Sequence, residues 1–569
     1  MASNWLACVV PSIACFALTS IASAQIQAYT FAGANSGNQF GSCVSNAFDA
    51  DGDGFGDVIV GEPFANPNGP NSGRARLYSG KTGALLHTFN GASAGDQFGS
   101  AVAGVEVSPG NVVIVVGAPL EETPYLDAGA VYIFDGPTGI LLRHFTGSIP
   151  NEQLGASVSE AGDIAGDGYD DLIVGAPNLI YASAPLGGCL LIWGGNLSPF
   201  INGWFHGAIP FGQFGASVAG AGDIDHDGYG DFIVGAPNDG PSHAGVAYVM
   251  SSGTGMTLYS KTGATPNSQF GYSVSGSRDV DNDGWRDFIV GAPFDDTNGT
   301  ASGRVKVFSG HTGNVLHNIT GQSGYHFGQS VSLINDVDGD GNDDFIVGAP
   351  FADHNGTQET GLVRVLSGAN TNLIHVFYGD SSGDHLGFSV SRGGDINNDG
   401  TPDVVAGAPH AAPNGSNSGL ARVWFMGCPS PSTYCTAKVN SSGCTPQIDW
   451  SGVPARVTGA DDFEITASHV LKAKSGLLFW GTGPLSNPFH GGTLCVASPT
   501  VRTPIQDSGC PTCGACQGTY TFAFSQSYMA SQSVHAGDTI YAQFWSRDNG
   551  FAPPDNFGLT DALKFTVCK

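Results

Sequence analysis

A Phe-Gly or Leu-Gly pair recurs seven times along the chain, at Phe40, Phe98, Leu154, Phe214, Phe270, Phe327 and Leu386, 56 to 60 residues apart. A second signature, Gly-Ala-Pro, follows each pair. It begins at Gly117, Gly175, Gly235, Gly291, Gly348 and Gly407, and the first copy carries the variant Gly61-Glu62-Pro63. Self-similarity at such a period marks a chain built from one supersecondary unit repeated.

Each unit reads as four short strands. The run after Phe-Gly alternates, as in Ala216-Ser217-Val218-Ala219, whereas the run before Gly-Ala-Pro is continuously apolar, as in Phe232-Ile233-Val234, which predicts burial on both faces. A third run alternates again (Arg304 to Phe308) and ends in a Ser-Gly-x-Thr-Gly turn, after which a fourth, Val315 to Ile319, begins. Four strands per unit, seven units and no helical period predict a seven-bladed β-propeller. A strand near residues 27–31 precedes the first Phe-Gly, and the last unit stops after Ala421–Phe425. The expected arrangement is a closed ring, with the N-terminal strand completing the last blade.

Between the two signatures lies a nine-residue acidic loop, D-x-D-x-D-G-x-x-D. It reads Asp49, Asp51, Asp53, Asp57 in the first copy and Asp223, Asp225, Asp227, Asp231 in the fourth. The fifth has Asp279, Asp281, Asp283, Asp287, and the sixth Asp336, Asp338, Asp340, Asp344. The third keeps Asp163, Asp167 and Asp171 around Ala165, and the seventh keeps Asp395, Asp399 and Asp403 around Asn397. Alternate carboxylates on a tight loop converge on one centre, which suits Ca²⁺ with its six to eight oxygen ligands. The glycine permits the turn, and the residue after it (Phe55, Tyr169, Tyr229, Trp285, Asn342 or Thr401) offers a carbonyl oxygen while its side chain packs elsewhere. The last Asp is expected to bind bidentately. Neither Cys nor His joins the pattern, which disfavours zinc and copper.

The second copy breaks the rule. Its segment from Val105 to Asn111 is two residues shorter and carries only Glu106, so about six calcium ions are expected, not seven. The chain's formal charge is −29, which six such ions would bring to about −17. Such a charge argues against nucleic acid and anionic membranes as partners.

These signatures and loops resemble the FG-GAP repeat family, best known from the β-propeller of integrin α subunits, over roughly residues 26–427. The resemblance implies calcium loops on one face and partners engaged on the opposite one, with the loop residues named above as ion ligands. It implies a recognition scaffold rather than a signalling receptor. On the face opposite the ions, Tyr125, Leu179, Ile180, Tyr181, Trp204 and Phe205 are candidate contacts for an extracellular protein or glycan. A structural matrix or cell-envelope component, and a secreted hydrolase with its site in the propeller channel, are the alternatives. Gly91 to Gly95 matches a nucleophile-elbow expression but sits in a repeat loop with no helix after it. Five Asn-x-Ser/Thr sequons, at Asn298, Asn318, Asn355, Asn414 and Asn440, are also present, and their Asn-Gly pairs read equally well as turns.

Residues 1–24 read as an export leader, with an apolar run from Trp5 to Ala22 and a small-x-small end at Ala22-Ser23-Ala24. The mature protein is then secreted or at the cell surface, without a transmembrane segment, and monomeric. The propeller is assigned to 25–427, a linker to 428–434 and a cysteine-rich β-sandwich to 435–569. Eight of the twelve cysteines lie between Cys428 and Cys568, which predicts disulfides in that module rather than a metal run at Cys510, Cys513 and Cys516. The module resembles C-terminal domains of large bacterial secreted proteins, and attachment or spacing is its expected role.

Overall fold

A computed structural model describes residues 26–426, 431–452, 454, 463–489, 492–509, 514–535, 538–553 and 555–567. The leader and Cys428, Cys510, Cys513 and Cys568 lie outside the described residues.

Seven four-stranded antiparallel sheets follow one another along residues 26–425. Their first strands are Cys43–Asn46, Ala101–Ser108, Ser157–Gly162, Ser217–Gly222, Ser273–Arg278, Ser330–Ile334 and Ser389–Gly394. Each of these strands packs beside the next, and the last packs beside the first, so they form a ring. The fourth strand of blade seven comes from the other end of the chain. Ile26–Ala32 pairs with Leu420–Phe425, and Tyr29 lies opposite Val423. The expected closure is therefore present.

The second strands are fully buried runs such as Asp231–Ala236 and Asp287–Ala292, as their unbroken apolar sequence requires. Between neighbouring blades lies a separate apolar cluster, and the cluster shared by blades seven and one closes the circle. The Phe or Leu of each Phe-Gly pair plugs the cluster between its own blade and the one before. Phe98 sits with Ile59 and Leu77 of blade one, and Phe40 with Val405 and Val423 of blade seven.

The glycines of the two signatures are explained by the same interface. The amide of each Phe-Gly glycine donates to the carbonyl of the Gly-Ala-Pro glycine of its own blade, as Gly215 does to Gly235 (3.0 Å). The Gly-Ala-Pro glycine then faces the carbonyl of the next blade's Phe-Gly glycine. A Cβ on Gly235 would lie 2.0 Å from the Gly271 oxygen, and one on Gly407 would lie 1.9 Å from the Gly41 oxygen across the seam. The repeated motif is thus the spacing device of the ring.

Blade one replaces the alanine of Gly-Ala-Pro by Glu62, which is fully buried. Its carboxylate accepts from Asn38 Nδ2 (2.8 Å) and faces Arg76 (3.3 Å) and Arg74 (3.6 Å). Removing one partner of a buried pair strands the other charge. Glu62→Ala is therefore expected to cost roughly 3 kcal/mol, read as a lower urea midpoint with unchanged slope.

The C-terminal residues form a sandwich, as expected. One sheet runs Ser432–Tyr434, Phe557–Thr566, Thr539–Arg547 and Ser475–Gly481, with Val501–Arg502 and Gln506–Asp507 both pairing with the last of these. The second contains Gln447–Ser451, Glu464–Val470 and Gly518–Ala523. Leu478, Trp480, Ile540 and Phe544 of the first pack on Ile448, Ile465 and Tyr520 of the second. Two points depart from the sequence reading. Ser432–Tyr434, expected within the linker, is an edge strand of this module, held by pairing with Leu563 and Lys564. A one-and-a-half-turn helix, Gln526–Ser531, is capped by Ser525, whose hydroxyl accepts from Tyr528 N. Cys435 bonds to Cys495 and Cys444 to Cys516, so Cys516 belongs to a disulfide and not to a metal run.

Candidate metal centre

In the six acidic loops one hydrogen-bonding plan recurs. The first Asp folds back over the turn: Asp49 Oδ1 accepts from Asp53 N (2.8 Å) and Oδ2 from Gly54 N (2.8 Å). Asp163, Asp223, Asp279, Asp336 and Asp395 do the same with the equivalent amides. The turn that makes this possible needs a left-handed residue at the glycine, and Gly54 has φ 88°. The loop is thereby coiled with its alternate side chains on one side.

Carboxylates converge in four of the loops. Oxygens of Asp49, Asp51 and Asp53 lie within 4.8 Å of one another, as do those of Asp223, Asp225 and Asp227, of Asp279, Asp281 and Asp287, and of Asp336, Asp338 and Asp340. Among the described residues the third and seventh loops form no such triple. In the third, Ala165 supplies no oxygen. In the seventh, the Asn397 amide donates to Asp399 (2.8 Å), so a neutral group already serves that carboxylate. The second copy has no acidic loop: Ala101–Ser108 and Asn111–Ala118 form a tight hairpin whose register shifts between Glu106 and Ser108, with Glu106 accepting from Gly110 N (2.8 Å).

The last Asp of each loop has a role that sequence reasoning did not assign. Asp57, Asp171, Asp231, Asp287, Asp344 and Asp403 are fully buried. Asp57 Oδ2 accepts from Ala50 N and Asp51 N, and Oδ1 from Gly80 N in the following Ser-Gly turn (2.9 Å). Its counterparts reach Gly194, Ser252, Gly310, Gly368 and Met426 in the same way. This carboxylate therefore ties the acidic loop to the outer half of its own blade, and both its oxygens are engaged before any ion is considered. Burial pushes Asp57, Asp171, Asp231, Asp287 and Asp344 up to about 7, and Asp403 well above the usual range. A divalent cation beside such a group works in the opposite direction, favouring the ionised form.

The hard-oxygen donor set and the convergence of three carboxylates per loop fit Ca²⁺. Asp49, Asp51 and Asp53, their equivalents in the fourth and sixth loops, and Asp279, Asp281 and Asp287 in the fifth would hold the ion, and the ion would neutralise charges that otherwise repel.

Successive loops are also linked to one another. The amides of Gly56, Gly230 and Asp343 donate to the carbonyl oxygens of Asp395, Asp163 and Asp279 in the preceding blade's loop (3.1, 2.8 and 3.1 Å). Side chains at the expected carbonyl positions lean the same way. Trp285 stacks on His226 of loop four at 3.5 Å and on His311 of its own blade at 4.4 Å. Asn342 donates to the Val280 carbonyl (2.8 Å), while Phe55 lies under Lys81 of its own blade (4.6 Å). Tyr169 and Tyr229 are exposed at the rim.

The opposite face differs from its sequence reading in detail. Tyr125, Ile180, Tyr181 and Trp204 are exposed as expected, but Leu179 is buried and Phe205 packs edge-on against Phe232 (4.9 Å). Leu126, Ile209 and Phe211, which the motif analysis passed over, are exposed, Phe211 the most at 71%. The sequons are largely structural turns. Asn298 and Asn414 donate their amides to Gly321 O and Gly33 O, and Asn440 is buried.

This geometry defines a propeller with repeated acidic loops on one face. Residues 40–78, 214–250, 270–308, 327–366 and 386–425 match the FG-GAP repeat. Copies two and three fall outside these matches: copy two has lost its acidic loop and copy three has Ala165 at the middle position, whereas copy seven, with Asn397 there, is matched. The chain is similar to integrin alpha-3 of Cricetulus griseus (32% identical over 211 residues, 34% of this chain and 19% of the relative). It is also similar to integrin alpha-V of Gallus gallus (30% over 306 residues, 46% and 29%) and to integrin alpha-IIb of Homo sapiens (35% over 192 residues, 31% and 18%). The matched part spans less than a third of the length of these relatives. Five of the seven copies in this propeller therefore match the FG-GAP repeat, and the chain is similar there to integrin alpha chains. No helix among the described residues is long and apolar enough to cross a membrane.

Proposed function

We propose that this chain is an exported binding or adhesion scaffold: a calcium-stapled propeller that presents its loop face to an extracellular protein or glycan and carries out no catalysis. In this reading residues 1–24 are a leader, 25–427 the propeller and the C-terminal sandwich an appended module for attachment or spacing. The observation that carries it is the division of labour between the two faces. One face holds the acidic loops, hydrogen-bonded loop to loop, and the other displays Tyr125, Leu126, Ile180, Tyr181, Ile209 and Phe211. Exposed aromatic and aliphatic side chains gathered in neighbouring blades are the usual anchors of an interface. The two disulfides among the described residues accord with an oxidising compartment.

The central channel gives a hydrolase little to work with. Its lining includes Ser45, Ser159, Ser275, Ser332 and Ser391, with Arg392 paired to Glu160 at 3.1 Å, and none of the described lining residues is a histidine. A pull-down from extracellular material and a glycan array, each run with calcium and with EGTA, test the proposal. Capture of a defined partner with calcium, lost on Tyr181→Ala/Phe211→Ala, is the expected result. Silence in both assays would leave the chain as a structural spacer and overturn the binding role.

A further inference from the structure

The larger sheet of the C-terminal module has a second face. The hairpin of Pro484–Phe489 and Gly492–Val496 covers part of it, burying Phe479, Val496, Phe557 and Leu559. Beside the hairpin lies a cavity of about 580 Å³ whose walls include Leu477, Phe479, Leu485, Leu494 and the Trp545 indole. Cavities of this size and apolarity, with a few polar groups, are the usual form of a small-molecule site.

The charged groups in its lining are two arginines, Arg502 and Arg547, accompanied by the neutral hydroxyl residues Ser475, Ser498 and Thr500. Register puts them on the cavity side. Arg502 lies opposite Phe479, and Arg547 is two residues beyond Trp545, which lies opposite Leu477. Both are exposed, and neither guanidinium has an ion pair or hydrogen bond among the described residues. In a chain of formal charge −29 with only 20 basic residues, two unpaired arginines beside one apolar slot are a local inversion of sign. Guanidinium groups recognise carboxylate, sulfate and phosphate through paired N–H donors.

We propose that this slot binds a single-chain anionic amphiphile, its alkyl chain against Leu477, Phe479 and Leu494 and its head group on Arg502 and Arg547. The apolar walls supply affinity through burial, and the arginines select the sign of the head group. The head group's chemistry is shared by a free alkyl carboxylate and by an anionic lipid in a bilayer, and the experiment separates the two.

Sodium dodecanoate, below its micellar concentration, is titrated into the full chain by calorimetry. Saturable one-to-one binding is expected, about tenfold or more weaker in R502Q/R547Q, as loss of charge-assisted bonds requires. Dodecyltrimethylammonium is expected to bind at least about tenfold more weakly than dodecanoate. Leu494→Trp, which fills the slot, is expected to abolish binding; if that variant does not fold, the double arginine variant, altered only at exposed side chains, decides alone. Cosedimentation with phosphatidylglycerol vesicles, weakened by the same double substitution, assigns a bilayer source, and dodecanoate binding without cosedimentation assigns a free amphiphile. Absence of saturable dodecanoate binding, equal binding of the cationic amphiphile, or full affinity in R502Q/R547Q would each overturn the proposal.

Discussion

Chelation with EGTA lowers the melting temperature of this chain by on the order of 20 °C, and added Ca²⁺ restores it. The size follows from linkage. An ion held at a hundred times its dissociation constant adds about 2.7 kcal/mol to the folded state, and a few degrees accompany each kcal/mol in a domain of this size. Four loops bring three carboxylates within 4.8 Å, so the effect is several-fold that of one site. Removal of the ions also loosens the amide-to-carbonyl links between loops of neighbouring blades, because the carbonyls of Asp163, Asp279 and Asp395 belong to the residues that open each acidic loop. Differential scanning calorimetry in the two buffers measures it, and a calcium-independent melting temperature would sink the ion assignment. Single substitutions resolve the sites. Asp223→Asn and Asp336→Asn reduce the calcium-dependent increment. Ala165→Asp enlarges it while lowering the melting temperature in EGTA, since the added carboxylate repels its neighbours until an ion binds.

Gly235→Ala unfolds the propeller or costs it more than about 4 kcal/mol, far above the usual effect of adding one methyl group. The new Cβ would meet the Gly271 carbonyl oxygen at 2.0 Å and the Ser217 hydroxyl at 2.2 Å. Backbone does not give way there as a side-chain end would, because the Gly271 amide is itself bonded to Gly291 (3.0 Å). Gly95→Ala is the informative comparison. Gly95 has φ 93° and open space around its missing Cβ, so its substitution carries conformational strain alone, on the order of 1–2 kcal/mol. Chemical denaturation of both variants separates blade spacing from backbone strain. A Gly235→Ala protein as stable as the parent would refute the close-approach account of the motif.

Architecture was readable because the repeat is dense and its punctuation regular. Four runs per unit, a spare strand at residues 27–31 and a truncated last unit implied the ring, and Tyr29 opposite Val423 is its observed seam. Carboxylate spacing led to six loops, and in four of them three carboxylates gather their oxygens. What escaped was whatever depends on neighbours far away in sequence. Nothing local to Asp57 tells that Gly80 will donate to it, and nothing local to Gly56 tells that Asp395 will accept from it. Leu179 and Ile180 are adjacent, yet one turns inward and the other outward, because the Ile180–Tyr181 and Ala184–Pro185 hairpin sets their facing. Which cysteines pair was also beyond reading, since eight allow many connectivities and only the sandwich brings Cys435 to Cys495.

The seam between Ile26–Ala32 and Leu420–Phe425 also makes the order of synthesis matter. The first strand leaves the ribosome earliest, and its partner leaves only after all seven copies have been made. Until then the nascent ring keeps an open edge of unpaired backbone, the kind of edge that accepts any strand of suitable pattern. A second copy's first strand has the same pattern as the chain's own. Crowded refolding therefore favours exchange of this one strand between molecules, whereas dilution favours closure within one.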